Sequence, residues 1–272
     1  MSLDWNVVWA VARKDLMVVS RSRAVLLPMI LVPVIMLVLW PSGFAIGLAL
    51  APDIQLNQPT ALIGALPPEA LASMAGLDPR QRVLLLLIDY MLAPIFLIVP
   101  MMVAIVIAAD SIAGERERKT LEALLYSPTT DLELLAAKLT SAWVPSVAVA
   151  FASFAAETVV INAAGWPLME RVFFPSLTWA IMALWVAPAA SAASLAVVVL
   201  MSSRVRSFQE ANQLGGMVVL PVVGLVGAQM AGVLLLTPFL TAALGLALWA
   251  LALALVRLGT RLFRRTEVIS WV

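Results

Sequence analysis

Two residue types are missing altogether from this 272-residue chain: it has no cysteine and no histidine. The first absence excludes disulfides and thiol chemistry. The second removes the commonest metal ligand and the usual general base. Together they exclude a Ser-His-Asp triad, a cysteine nucleophile and an HExxH zinc site, so no catalytic residue and no metal ligand is expected. Charge is scarce as well. Asp, Glu, Lys and Arg make up 12% of the residues and hydrophobic ones 63%, where a soluble domain carries about a quarter and about half. With a mean hydropathy of +1.03, the chain reads as an all-α polytopic membrane protein.

What is present is a series of long apolar runs. A helix that crosses a bilayer needs about 20 mainly apolar residues. Residues 25–50 supply one without charge; 83–109 supply a second, carrying only Asp89; 139–163 a third, carrying only Glu157; and 174–201 a fourth. Residues 214–256 carry no charge and are too long for one crossing, so they divide near Thr237-Pro238 into 214–236 and 238–256. The reading is six spans in a single transmembrane domain over residues 1–272, with a helix at 1–24 before them and a polar segment at 110–138 between spans two and three.

An even number of spans returns both termini to one side. Arg80, Arg82 and Arg171 then lie on the opposite side, and the other fourteen of the 17 Lys and Arg residues share the side of the termini. Such an excess marks the cytoplasm. The first apolar run starts only after about two dozen residues and is long enough to span, so it is expected to stay as a span rather than be cleaved as a signal peptide.

Residues 1–24 read as an amphipathic helix lying in the headgroup region. Trp5, Val8, Trp9, Ala12, Leu16 and Val19 recur at helical spacing, with Arg13, Lys14 and Asp15 displaced from that stripe. Tryptophans beside basic residues suit an interfacial helix, for which a plain membrane anchor is one reading.

The segment 110–138 reads as helix, break, helix. Glu115 with Lys119 and Arg118 with Glu122 are opposite charges four residues apart, which support an exposed helix. Leu121, Leu124 and Leu125 form its apolar stripe, and Pro128 disfavours helix at Ser127. Thr130 and Glu133 then fit a capping box that restarts the helix. Residues 114–120 have a superficial likeness to a phosphate-binding loop. They lack its second glycine and follow a membrane span instead of a strand, so they form no nucleotide site.

The run Gly114-Glu115-Arg116-Glu117-Arg118-Lys119-Thr120, with Leu124-Leu125 and Ser127-Pro128 after it, resembles a signature of the type-2 family of ABC transporter permeases. These are the membrane subunits of ATP-binding-cassette exporters. The resemblance implies that this segment is a cytoplasmic coupling helix that docks on a separate ATPase subunit. The docking residues would be Gly114, Glu115, Arg116, Glu117, Thr120, Leu121, Leu124, Leu125, Ser127 and Pro128. A second docking surface would lie on the N-terminal helix, at Trp5, Trp9, Lys14, Asp15, Arg21 and Arg23. The resemblance further implies a dimer of permeases, as homodimer or heterodimer, with ATP and Mg held by the ATPase subunit and no cofactor bound by this chain. Its surroundings would be membrane lipid, in the inner or plasma membrane of a bacterium or archaeon, with no nucleic acid partner. A solvated connector whose leucines rest on headgroups is the plainer reading of the same segment.

Elsewhere the signals are weaker. Ser207 and Glu210 fit another capping box in a loop at 202–216 that also carries Arg204 and Arg206. Outside, 52–82 is the sizeable loop, with one short helix expected at 69–74, and 165–173 is the next. Asp89 and Glu157 fall about two turns below the outer surface on consecutive, antiparallel helices. They read either as partners of Arg80, Arg82 or Arg171, or as the lining of a translocation path. The second option leaves a secondary transporter or channel as the alternative to an ATP-driven exporter.

Overall fold

The computed structural model describes residues 4–50, 63–64, 66, 68–118, 129–202 and 207–262. Six helices in it are long and apolar enough to cross a membrane: Val25–Leu50, Pro79–Ala109, Leu132–Met169, Leu177–Met201, Phe208–Met230 and Pro238–Thr260. They are called the first to sixth spans below. The second and fourth are mostly buried, and the other four surround them with largely exposed faces.

Span boundaries follow local chemistry more than hydropathy. The second span starts four residues before the expected 83, because Asp78 and Gln81 form a capping box around Pro79, and proline at the first helical position loses no hydrogen bond. The third is the largest departure. A single helix runs Asp131–Met169, 39 residues, against the expected 139–163. At 1.5 Å per residue it is nearly 60 Å long, twice the ~30 Å hydrocarbon core, so it projects well beyond the membrane. Its start is the expected capping box: Thr130 N–H donates to Glu133 Oε2 at 2.8 Å, and Glu133 N–H to Thr130 Oγ1 at 3.3 Å.

At its far end the expected loop at 165–173 is helical as far as Met169. The reason is a clip inside the helix. Asn162 Oδ1 accepts from the N–H groups of Phe173 and Phe174, while its Nδ2 donates to the Phe174 carbonyl. The returning chain is thus held by the last turns of the helix itself. Gly165 makes room for it, since a Cβ there would sit 2.7 Å from the Phe173 ring.

Phe174 enters a cluster with Phe96, Phe154 and Trp179, with ring centroids 5.0 to 6.5 Å apart. Most pairs meet edge to face, the arrangement that ring quadrupoles favour. The indole of Trp179 also donates to the Ile88 carbonyl at 2.9 Å. That carbonyl lies in a π-helical turn, Leu87–Leu92, which carries Asp89. Such turns recur at functional sites.

The fifth span starts at Phe208 and ends at Met230 instead of running 214–236. Ser207 caps it, its hydroxyl accepting from Glu210 N–H, so most of the expected loop at 202–216 is helix. A turn leads to Thr237, whose hydroxyl accepts from Leu240 N–H at the start of the sixth helix, Pro238–Leu262. The expected helix at 69–74 is present as Pro68–Ser73.

Candidate functional site

The N-terminal helix, Trp5–Arg21, is amphipathic as expected, but its buried stripe is Val8, Ala12, Asp15 and Val19. Trp5 and Trp9, 68% and 55% exposed, face away from the bundle. An aspartate on the inward stripe demands a partner, because burying an isolated carboxylate is expensive. Asp15 finds it in Lys138, at 2.9 Å, on the first turns of the third-span helix. Both side chains are almost wholly buried, at 3% and 2% exposure.

Glu115 completes the set. The second span ends in another π-helical turn, Asp110–Gly114, followed by a short helical turn, Glu115–Glu117. From there the Glu115 carboxylate reaches Lys138 through Oε2 at 2.6 Å and Lys14 through Oε1. Lys14 closes the ring on Asp15 at 3.1 Å. The Ser141 hydroxyl, one turn from Lys138, lies 3.4 Å from the Asp15 carboxylate. Two ammoniums and two carboxylates thus cancel in a closed ring that joins three separate stretches of chain. Partial burial pulls the Lys14 ammonium down, but the hydrogen bond and charge of Glu115, with Asp15 beside it, outweigh that and hold its pKa above the ordinary lysine value.

Further bonds brace this corner. Asp110 pairs with Arg118 at 2.9 Å, and the same hydrogen bond holds the guanidinium above its ordinary pKa. Gly114 makes the fold-back feasible: a Cβ would meet Asp110 Oδ1 at 2.7 Å and Arg118 Nη1 at 3.1 Å. Glu117 accepts from Phe208 N–H at 3.1 Å, placing a negative charge at the N-terminus of the fifth-span helix, where the free N–H groups point. Asp4 N–H donates to Glu133 Oε1 at 3.0 Å, so the N-terminal helix and the third-span helix are tied at their starts.

The expected site residues therefore divide. Gly114, Glu115, Asp15 and Lys14 come together, and Glu117 lies close by. Glu115 and Asp15, expected on docking surfaces, are buried within the chain, each held by lysines. Trp5, Trp9, Arg21 and Arg23 stay exposed. Thr120, Leu121, Leu124, Leu125, Ser127 and Pro128 lie outside the described residues, as does the side chain of Arg116 and the expected pairing of Glu115 with Lys119 and of Arg118 with Glu122. Lys138 was read from sequence only as one more basic residue. Its signal was its place: a lysine seven residues into a helix that is otherwise heading into the membrane.

Among the described residues, neither Asp89 nor Glu157 forms an ion pair with Arg80, Arg82 or Arg171. Arg80 pairs with Asp78 at 3.1 Å, and the buried Nε of Arg82 has no hydrogen-bond partner among the described residues. Glu157 is fully buried, and neither of its carboxyl oxygens has such a partner.

The sequence model of the family described as ABC-2 family transporter protein matches residues 9–245 of this chain. The chain belongs to the ABC-2 transporter family. Among curated proteins nothing matches it significantly. As an ABC-2 protein with six spans it is a multi-pass membrane permease subunit of an ABC transporter. The match begins within the N-terminal helix and takes in every residue of the ionic ring, so the ring is built inside the ABC-2 unit.

Proposed function

We propose that this permease works in an ATP-driven exporter as one half of a dimer, with ATP and Mg bound by separate ATPase subunits that dock on its cytoplasmic face. The observation that carries the reading is the ring of Lys14, Asp15, Glu115 and Lys138. It fastens the start of the 110–138 segment to the N-terminal helix and to a helix of 39 residues that crosses the membrane. A displacement at that segment is then passed to the third span rather than absorbed. In this reading Thr120, Leu121, Leu124, Leu125, Ser127 and Pro128 touch the ATPase, and residues 114–117 are the root that transmits. The exposed Trp5, Trp9, Arg21 and Arg23 form the adjoining second surface.

Co-purification with the ATPase subunit tests this. Leu124→Asp should release that subunit. Glu115→Lys sets a third ammonium beside Lys14 and Lys138, and should uncouple hydrolysis from transport. Replacing Trp5 and Trp9 by alanine should lower the ATPase-to-permease ratio. Normal ratios and normal transport in all three variants contradict the docking assignment.

Glu157 supports a role for the outer half of the bundle in the path of the cargo, with Asp89 at similar depth. Asp89→Asn with Glu157→Gln should keep basal ATPase activity and lose transport. The same carboxyl, which has no hydrogen-bond partner among the described residues, favours a second reading, an ion-driven secondary transporter. Transport by the purified chain alone, driven by a cation gradient without ATPase, would establish it.

A further inference from the structure

Glu157 lies on the same stripe of the third-span helix as Ala150 and Ile161, which are buried in the main apolar cluster. It is fully buried within a single subunit, out of reach of lipid. The first, second and fourth spans each bring a π-helical turn to that cluster. Leu37 of the turn Val34–Leu39, Leu92 of Leu87–Leu92 and Met182 of Met182–Val186 are all members of it. Turns of this kind gather at functional positions. Phe96 meets Phe154, and Gly165 lies beside Leu84, so the antiparallel register sets Glu157 level with Leu92 and Ala93.

Among the described residues no cation meets this carboxyl. The third-span helix packs on the N-terminal helix at its inner end, and on the first, second and fourth spans along its length. The first and fourth spans carry no charged or titratable residue. The second brings Asp89, about one turn farther out, and Tyr90, which packs with the outer cluster of Leu86 and Leu235. Neither hydrogen-bonds to Glu157. Gln81 reaches the Leu168 carbonyl, eleven residues or about 16 Å outward of Glu157, and Arg82 follows it in sequence. Lys138 is nineteen residues inward, about 28 Å. Nearby donors are engaged elsewhere: the Thr158 hydroxyl with the Phe154 carbonyl, the Asn162 amide in its clip, and the Trp179 indole with the Ile88 carbonyl.

We infer that Glu157 is a proton-binding site, carried as the neutral acid in the packed bundle and exchanging its proton with outer water only when the surrounding spans part. An ionised carboxylate in these surroundings is the costly alternative, because nothing there compensates its lost hydration. A proton removes the charge and needs no space of its own. A metal ion is a poorer fit. Hard cations take about six oxygen ligands, and no group of three His, Cys, Asp or Glu side chains that could hold one is gathered among the described residues. When water enters, the acid O–H breaks, the proton passes to water, and the carboxylate takes water as its hydrogen-bond partner. Closing reverses each step, so the uptake and release of one proton accompany the closing and opening of the outer half. The assignment rests on the surroundings of the carboxyl and holds whether or not cargo passes it.

Infrared spectroscopy of the purified subunit in an ester-free detergent reads the proton directly. It needs neither ATPase nor cargo, so its outcome is separate from that of the transport experiments. At neutral pH a glutamate in water is protonated in about one molecule in 500. Glu157 should instead give the C=O band of a neutral carboxylic acid at close to one per subunit. Glu157→Gln should abolish that band, and Asp89→Asn should leave it. In heavy water the band should shift slowly, alongside the buried backbone amides. If Glu157→Gln does not fold, the natural subunit decides: glutamate bearing a heavy carboxyl carbon should move the band, and aspartate labelled in the same way should not. Absence of the acid band at neutral pH overturns the assignment. So does a band that Glu157→Gln retains, one that labelled aspartate moves, or an immediate shift in heavy water.

Discussion

Buried carboxylates occur at both ends of this bundle, and they are treated in opposite ways. At the basic end Asp15 and Glu115 are each met by lysine, and the ring they form is closed. In the outer half Glu157 is just as buried and has no hydrogen-bonding partner among the described residues. A closed ring gains nothing from moving and resists it, because separating any pair strands a charge. An unmatched carboxyl has everything to gain from a partner that arrives. The comparison separates a joint that holds helices together from a buried carboxyl with no hydrogen-bonding partner among the described residues.

The largest expected effect comes from cutting the ring. Lys138→Met leaves Asp15 and Glu115 buried without their shared ammonium, and a buried pair broken on one side typically costs about 3–5 kcal/mol. Thermal unfolding in detergent should show the loss. Adding Asp15→Asn and Glu115→Gln should restore most of it, since neutral polar groups are far cheaper to bury than stranded charges. If the triple variant is no more stable than Lys138→Met alone, the ring is not what Lys138 serves.

Gly114→Ala comes next. Its Cβ would fall 2.7 Å from Asp110 Oδ1, so the Asp110–Arg118 pair must open or the π-helical turn must shift. Crowding of this kind costs about 1–3 kcal/mol. An alanine variant as stable as the natural subunit would show that the fold-back is dispensable.

Glu157→Gln sharpens the contrast from the other end. An amide is less costly than a carboxylate in an apolar interior, so unfolding temperature should stay level or rise, while Glu115→Gln lowers it. Equal destabilisation by the two would erase the distinction between joint and open site.

Much of the architecture was legible in the sequence, and the misses have physical causes. Hydropathy finds six crossings because each carries at most one charged residue in its apolar run. It misplaces ends wherever a polar side chain makes helix: Asp78 and Gln81 start the second span early, Ser207 the fifth, and Asn162 holds the return of the third. At the candidate site, the charged run at 114–118 was visible as a motif, but its partners lie far off in sequence. Glu115 meets Lys14 across 101 residues and Asp15 meets Lys138 across 123. A helical wheel drawn through hydrophobic residues alone cannot place Asp15 on the inward face, because only a distant lysine makes that position tolerable.

The smallest effect concerns pH. The folded subunit holds the Lys14 pKa above its ordinary 10.5, so the contribution of this lysine is complete below 10.5 and disappears as pH rises through the higher folded value. Its side chain is 44% exposed, which limits the contribution to about 1 kcal/mol or less. Unfolding temperature should therefore begin to fall only in strongly alkaline buffer, and Lys14→Met should remove the Lys14 share of that fall. A Lys14→Met variant with an unchanged alkaline limb would assign the fall elsewhere.

The central claim is that the ring makes the N-terminal helix and the third-span helix move as one body. Because the chain has no cysteine, spin labels can be placed on introduced cysteines with no native cysteine to remove first. Val18, Leu132 and Val233, which are 41%, 49% and 80% exposed, offer sites on the N-terminal helix, at the start of the third-span helix and on the turn between the fifth and sixth spans. Pulsed electron resonance on the complex with its ATPase subunit, with and without trapped nucleotide, should show an unchanged Val18–Leu132 distance while the Val18–Val233 distance shifts. A Val18–Leu132 distance that changes on trapping would contradict the account, because the ring would then be no rigid joint.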